Sequence, residues 1–140
     1  DEIWQAMRQA ISRGLAAEGL LPGGLGVSRK AWIFHRKTLL ADSQFSQFEL
    51  LSAYALAVSE ENASGGIVVT APTCGSCGVL PAVLRFVQER VNCTDSSILH
   101  ALATAAGHAG VSLSMRARRG PEPYARNRCR HRALRAGRAR

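Results

Sequence analysis

The segment from Glu60 to Leu84, EENASGGIVVTAPTCGSCGVLPAVL, limits the possible folds more than any other part of the chain. It has the pattern of a helix end, two glycines, a short β-branched run, a loop rich in glycine and cysteine, and a new helix start. Tight backbone turns therefore lie beside two thiols and beside the free N–H groups of a helix N-terminus. This arrangement favours a small-molecule site over a structural linker.

Hydrophobic periodicity predicts a mainly α-helical, bundle-like fold with one short extended segment and a Gly/Cys loop. Helices are expected over about residues 2–18, 43–63, 78–91 and 95–106. The segment 29–40 fits either a short helix or an extended arm. The helix over 43–63 is apolar on almost every side, which predicts that it is buried within a helical body.

The helix that begins near Gly78 carries an apolar stripe, which predicts that this face is buried. The members of the stripe are Leu80, Val83, Leu84, Val87 and Val91. Pro81 falls in the first turn, where its missing N–H costs no hydrogen bond. Thr94, Asp95 and Ser96 are typical N-cap residues for the next helix.

The basic charge of the chain is confined to its C-terminal end. Residues 116–140 contain ten arginines, no lysine and one acid, Glu122, whereas the whole chain has a net charge of +8. A segment without apolar periodicity cannot bury a face, so residues 107–140 are expected to form a disordered basic tail. Two origins are open: a frameshifted reading of GC-rich DNA, and a basic arm for nucleic acid. Natural basic arms usually contain both lysine and arginine, so the absence of lysine favours the frameshift. Nucleic acid is therefore not the expected partner.

The 140 residues suit one domain, and no run approaches the ~18 apolar residues of a transmembrane helix. The chain opens with DEIWQAM, without an initiator methionine or a signal peptide. We therefore expect a fragment or processed chain in the cytoplasm, with reduced thiols.

The loop before the helix at Gly78 has the chemistry of an anion site. Thr73 and Ser76 offer hydroxyls, and Gly75 lets a ligand approach the backbone closely. The helix N-terminus adds N–H groups with partial positive charge, so a carboxylate or phosphate fits there. The alternative is a tight helix-entry turn that binds nothing.

Cys74 and Cys77 are spaced as C-x-x-C, which leaves three interpretations open. They fit a thioredoxin-like redox pair, or, together with Cys93, three ligands of an iron–sulfur cluster. They also fit small core residues, which is how most free cysteines behave. Cys129 forms no second C-x-x-C, which disfavours a zinc site with four cysteines.

Other candidate polar residues are less specific. Glu60, Glu61 and Asn62 end a helix, where acids oppose the helix dipole, so a functional role is one interpretation and a solvated polar end is the other. The four histidines are far apart in the sequence, and each is expected to be a surface or packed residue. They are His35, His100, His108 and His131.

Three elements together resemble the iron–sulfur L-serine dehydratases, the bacterial L-serine ammonia-lyases that work without pyridoxal phosphate. The elements are GLLPGGLGVSRK, YALAVSEENASGGIVVTAPTCGSCGVLPAVL and ALATAA. The resemblance covers about residues 1–106, the first part of the family's helical catalytic domain. It implies a lyase of serine catabolism and gluconeogenesis that converts L-serine to pyruvate and ammonia. It also implies a [4Fe-4S] cluster on three cysteines as Lewis acid, and a beta domain or subunit as partner.

The resemblance implies that the loop holds the amino-acid part of L-serine, with support from the end of the preceding helix. The expected substrate-binding residues are Thr73, Cys74, Gly75, Ser76, Glu60 and Asn62. The family's cluster cysteines lie in later segments of the kind GCQGEVG, which this chain lacks, so Cys77 is only a weak candidate ligand. The catalytic base is not identified.

We therefore expect a partial serine dehydratase catalytic domain over residues 1–106 and a basic tail over 107–140. Such a chain is expected to lack the cluster and to be inactive by itself. The alternatives from other function classes are a thiol redox domain that uses Cys74 and Cys77, and a nucleic-acid-binding protein that uses the tail.

Overall fold

A computed structural model of the chain describes residues 1–40, 46–70, 77–109 and 114–117. The described residues form five helices and two strands. These are α1 (Glu2–Ala16), α2 (Ala31–Leu40), α3 (Ser46–Ala63), β1 (Ile67–Thr70), α4 (Val79–Val91), α5 (Asp95–Ala109) and β2 (Ser114–Ala117). The predicted mainly α-helical fold is confirmed, and the ambiguous segment 29–40 is a helix from residue 31 onward. None of the described helices is long and apolar enough to cross a membrane.

Helix α3 is central to the described structure, because it packs against α1, α2, α4 and β1. Its buried residues include two alanines, Ala53 and Ala57, which let neighbouring helices approach closely. A Cβ atom at Gly14 of α1 would lie 2.2 Å from the carbonyl oxygen of Ala57. The backbones of α1 and α3 are therefore in direct contact, and only glycine fits at this crossing.

Helix α1 has a single apolar face that serves two neighbouring hydrophobic clusters. Trp4 and Met7 belong to the first cluster, which includes Val69, Leu84, Ile98 and Leu102. Ala10 and Ile11 belong to the second, which includes Tyr54, Val58, Val68, Cys77 and Ala82. Strand β1 contributes a valine to each cluster, so its position depends on both.

The connection between α1 and α2 folds back on itself. Leu20 and Ser28 form an isolated antiparallel bridge, and the N–H of Arg29 donates to the carbonyl of Gly19 at 2.8 Å. Gly19 has a φ of +93°, a conformation that residues with a Cβ rarely adopt. This closed loop brings Arg29 to the start of α2, next to the end of α3.

Asp95 joins the start of α5 to α1 and α4. Its Oδ1 accepts hydrogen bonds from Gln88 Nε2 at 2.6 Å and from Trp4 Nε1 at 3.3 Å. These two bonds, that of Gln88 first, hold the pKa of the Asp95 carboxyl below its usual value. Of the three predicted N-cap residues, Thr94 has this role, since its Oγ1 accepts a hydrogen bond from the N–H of Ser97 at 3.3 Å.

Strands β1 and β2 pair antiparallel, with Ile67 opposite Ala117 and Thr70 opposite Ser114. The sequence predicted disorder from residue 107, yet α5 continues to Ala109 and residues 114–117 form a strand. The physical reason is that the backbone groups of β1 need a partner strand. The run VSLSM over 111–115 also alternates apolar and polar residues, as a strand does. The predicted disorder of residues 110–113 and 118–140 lies outside the described residues.

The apolar stripe of α4 is only partly buried, so this prediction is wrong for part of the helix. Leu84 is buried, and Leu80 packs against the first cluster. The valines of the stripe are exposed, namely Val83, Val87 and Val91. The helix packs on α3 and α1 through a face that also includes Pro81 and Ala82, and the valines lie on another side. Periodicity shows that an apolar face exists, but not which segment covers it.

The contact between α1 and α3 gives a direct stability test. We expect Gly14→Ala to lower the free energy of unfolding by about 1–3 kcal/mol or more, because the added Cβ meets backbone that cannot rotate away. Urea denaturation followed by circular dichroism measures the change. Gly24→Ala is the matched control, since nothing lies within 4 Å of a Cβ there. Equal stability of the two variants would contradict the described crossing.

Candidate functional site

The last turn of α3 contains two consecutive acids that are both buried. Glu60 is 5% exposed and Glu61 is 7% exposed. Two carboxylates at a helix C-terminus oppose its dipole, so the helix alone does not stabilise them there. Each carboxylate instead has an arginine from another part of the chain as its partner. Of the two interpretations left open by the sequence, a solvated polar end is therefore wrong, because both acids are buried and each pairs with an arginine.

Glu60 binds the N-terminus of α2 through one carboxylate oxygen. Its Oε1 accepts hydrogen bonds from the backbone N–H groups of Lys30 at 2.7 Å and Ala31 at 3.2 Å. These groups belong to the set that a helix leaves without intrahelical partners, and a negative charge there is favoured by the dipole of α2. Glu60 is thus a capping residue supplied by a distant segment.

The other oxygen of Glu60 faces Arg29, which is 8% exposed. Arg29 Nη1 lies 4.0 Å from Glu60 Oε2, and neither atom has a hydrogen-bond partner among the described residues. Arg29 Nη2 donates to the hydroxyl of Ser64, which in turn donates to the carbonyl of Glu60 at 2.7 Å. Arg29 therefore neutralises Glu60 by charge and holds the turn after α3 by hydrogen bonds.

Glu61 connects α3 to α1 and to the start of β1. Its Oε2 accepts from Arg13 Nε at 2.8 Å, and Arg13 Nη2 donates to the carbonyl of Ile67 at 2.8 Å. Gly66 fits beneath this pair, since a Cβ there would lie 2.5 Å from Glu61 Oε2. We call Arg13, Arg29, Glu60 and Glu61 the acid–arginine frame, because these residues fix the turn between α3 and β1.

Asn62 takes part in the same turn through its backbone. Its carbonyl accepts from the N–H of Gly65 at 3.3 Å, and Gly65 has a φ of +84°. Of the six substrate-binding residues predicted from the sequence, the structure describes Glu60 and Asn62. It places Glu60 in the acid–arginine frame and Asn62 in the turn beside it. Thr73, Cys74, Gly75 and Ser76 lie outside the described residues.

Both ends of the candidate loop, residues 71–76, are fixed in the described structure. The chain enters the loop from Thr70, which is buried at the end of β1. It leaves the loop at Cys77, which is also buried, and at Gly78, the N-cap of α4. A Cβ at Gly78 would lie 2.6 Å from the carbonyl oxygen of Ala55 and 2.8 Å from the hydroxyl of Ser59. At Gly78 the chain therefore lies against α3 within about one turn of Glu60.

Tyr54 joins α4 to α3 on the same side of the structure. Its hydroxyl donates to Glu89 Oε2 at 2.7 Å, and Arg85 Nε lies 2.7 Å from Glu89 Oε1. Burial first, and then the hydrogen bond to Glu89, raise the pKa of Tyr54 well above its usual value. The hydroxyl thus stays protonated at physiological pH and acts as a donor that holds α4 in position.

The described thiols do not form a metal-ligand set. Cys77 is buried in the second hydrophobic cluster, whereas Cys93 packs at the edge of the first. Among the described residues, no three His, Cys, Asp or Glu side chains are grouped so that they could hold a metal ion. These residues therefore do not fit an iron–sulfur cluster. The burial of Cys77 also argues against a reactive redox pair, since reactive thiols are partly exposed.

Two members of the acid–arginine frame, Arg13 and Arg29, were not among the residues predicted from the sequence. A usable signal was present, because two acids at a helix end without a nearby cation need cations from distant segments. The sequence does not identify those cations, since Arg13 lies 48 positions and Arg29 31 positions from their carboxylate partners.

Residues 1–121 match the serine dehydratase alpha chain family. The chain belongs to this family. The match continues past residue 106, where the resemblance was expected to end, and it includes β2. The division of the chain into a catalytic part and a tail remains a prediction.

Among the relatives, the L-serine dehydratase of Streptomyces coelicolor is 45% identical over 111 residues, which are 79% of this chain and 24% of that protein. L-serine dehydratase TdcG of Escherichia coli is 41% identical over 119 residues, 82% of this chain and 26% of that protein. The L-serine dehydratase of Haemophilus influenzae is 38% identical over 121 residues, which are 84% of this chain and 27% of that protein. The chain thus spans about a quarter of the length of these curated relatives.

The acid–arginine frame predicts unequal costs for two glutamate substitutions. We expect Glu60→Ala to lower the free energy of unfolding by about 3–5 kcal/mol, because it leaves a buried guanidinium without its counter-charge. Glu60→Gln is expected to cost less, since its amide oxygen still accepts from the N–H groups of α2. Thermal and urea unfolding of the 140-residue chain measure both changes.

Glu18→Ala is the matched control for this test. Glu18 pairs with Arg36 at 3.5 Å on the surface, where both side chains are more than half exposed. Such a pair contributes at most about 1 kcal/mol. If Glu60→Ala costs no more than Glu18→Ala, Glu60 does not have the role assigned to it here.

Proposed function

We propose that this chain supplies the substrate-binding loop of an L-serine dehydratase, an enzyme that converts L-serine to pyruvate and ammonia. One observation carries the proposal: the chain leaves the loop 71–76 at Gly78, which packs directly against Ala55 and Ser59 of α3, next to Glu60 of the acid–arginine frame. The second support is membership of a family whose relatives are named L-serine dehydratases.

The start of α4 gives the loop its binding chemistry in this proposal. The first helical hydrogen bond runs from the N–H of Ala82 to the carbonyl of Gly78, at 3.3 Å. The N–H groups of Val79 and Leu80 precede it, so they have no intrahelical partner by position. Their partial positive charge favours a carboxylate, which L-serine provides. Thr73 and Ser76 add hydroxyls that can donate to the same group.

The proposed task of the acid–arginine frame is to hold the loop rigidly. A substrate bound at a helix N-terminus is oriented only as well as the loop that leads into the helix. Glu60 therefore supports the loop through the backbone of α2 and the turn, and does not touch the substrate. Asn62 supports it through the hydrogen bond that closes the turn.

The dehydration itself requires removal of the α-proton and departure of the β-hydroxyl as water, and the aminoacrylate that remains hydrolyses to pyruvate and ammonia. The family resemblance implies a [4Fe-4S] cluster for this chemistry, but the described thiols of this chain do not fit one. Our proposal for this chain is therefore limited to binding and orienting L-serine. Cluster ligands, the base and the beta domain are assigned to other parts of a complete enzyme.

A cytoplasmic location is part of the same proposal. It is supported by Cys93, which is a free thiol, as expected in a reducing compartment.

The loop can be tested in a complete enzyme. Residues 1–109 of this chain would replace the matching segment of the Streptomyces coelicolor L-serine dehydratase, and Thr73→Ala would be introduced into this chimera. We expect kcat/KM for L-serine to fall at least about tenfold, the effect of losing one charge-assisted hydrogen bond of about 1.5 kcal/mol. Steady-state kinetics of pyruvate release measure the change.

Thr104→Ala on the exposed side of α5 is the control, and it should leave the kinetics unchanged. Unaltered kcat/KM in Thr73→Ala, with the cluster absorbance of the chimera intact, would mean that the loop is only a helix-entry turn.

A further inference from the structure

Helix α4 has four valines in a row that the described structure leaves uncovered. Val79, Val83, Val87 and Val91 follow each other at intervals of four residues. Their exposed fractions are 57%, 40%, 38% and 67%. Residues four apart lie on one side of a helix, so the valines form a continuous apolar ridge about three turns long. We call these four residues the valine row.

The other side of α4 is already buried. Pro81, Ala82 and Leu84 are buried against the rest of the chain. A helix that is apolar on both sides is typical of the interior of a larger helical body, because a surface helix keeps a polar face towards water. The valine row thus predicts a further layer of protein over α4.

The polar side chains of α4 have partners within this chain. Gln88 donates a hydrogen bond to Asp95 at 2.6 Å. Arg85 and Glu89 form an ion pair at 2.7 Å, and Glu89 also accepts a hydrogen bond from the hydroxyl of Tyr54. Arg90 lies over the ring of Phe86 at 5.5 Å. Covering the valine row therefore does not require these polar groups to lose their present partners. Arg90 is exposed and lies beside Val87 on the same side of the helix, so a docked segment must leave its guanidinium in contact with water.

The lengths of the relatives indicate what covers the row. The family match includes the whole of α4, yet the chain spans only 24–27% of the first relatives. Roughly three quarters of a complete alpha-chain protein therefore have no counterpart among the described residues. This remaining part of the relatives is the source from which we expect a covering segment.

We propose that the valine row is the docking surface for an apolar helix from the remaining part of a serine dehydratase alpha-chain protein. Ridges formed by residues four apart pack into matching grooves at an interaxial angle of about −50°. The docked helix is therefore expected to cross α4 obliquely, with small or apolar residues between the valines. This proposal rests on family membership and on the exposure of the row, and is independent of the loop's role in binding L-serine.

The test compares one substitution in two contexts. In the free 140-residue chain, Val83 is on the surface, so we expect Val83→Asp to change Tm by less than about 2 °C. In the chimera with the Streptomyces coelicolor enzyme described above, the same carboxylate would be buried without a partner. There we expect a fall in Tm of about 5 °C or more, or loss of soluble protein. Val87→Thr, which keeps the shape of valine, should give a smaller loss in the same direction.

Leu25→Asp is the matched control, since Leu25 is 78% exposed in the connection between α1 and α2 and lies outside the row. It should have the same small effect in both contexts. The proposal is overturned if the chimera tolerates Val83→Asp as well as the free chain does. It is also overturned if the unsubstituted chimera cannot fold, because α4 would then not fit the rest of the protein.

Sedimentation of the free chain tests the competing occupant, a second copy. We expect a monomer, or association that Val83→Asp does not alter. A dimer that Val83→Asp abolishes would assign the valine row to self-association instead.

Discussion

The described structure depends most on the pairing of two buried acids with two distant arginines. Glu60 and Glu61 lie at the C-terminal end of α3, where the helix dipole opposes negative charge. Positive charges from other segments offset the free-energy cost of burying these carboxylates. Arg13 comes from α1 and Arg29 from the start of α2, so satisfying the two carboxylates brings three helices together. A buried ion pair adds little net stability compared with an apolar core, but it strongly penalises arrangements in which either charge is left alone. The frame thus selects one geometry for the turn into β1.

This geometry has consequences along the next twenty residues. The turn fixes where β1 begins, and the loop 71–76 follows the end of β1. After the loop, Gly78 lies so close to α3 that a Cβ atom would not fit there. Tyr54 then holds α4 to α3 through Glu89. The residues on either side of the loop, Thr70 and Cys77, are both buried, so the points at which the chain enters and leaves the loop belong to the packed structure.

Much of this could be predicted from local sequence, because helices, caps and the β-branched run depend on nearby residues. Capping residues and periodicity predicted the helix starts near Gly78 and Thr94. The β-branched run predicted the short extended segment that forms β1. What could not be predicted depends on distant partners. The burial of Glu60 needs Arg29, strand β2 needs β1, and periodicity alone does not show which side of α4, that of Leu84 or that of Val83, packs against the rest of the described structure.

Amide hydrogen exchange tests the role of the frame most directly. In an Arg13→Gln variant that remains folded, the account predicts that protection of the Val68, Val69 and Thr70 amides falls by about tenfold or more, the effect of about 1.4 kcal/mol. Protection at Leu84 and Leu102, in α4 and α5, should change much less. A loss of protection that is uniform across the chain, or none in β1, would contradict the claim that the acid–arginine frame positions the strand and its loop.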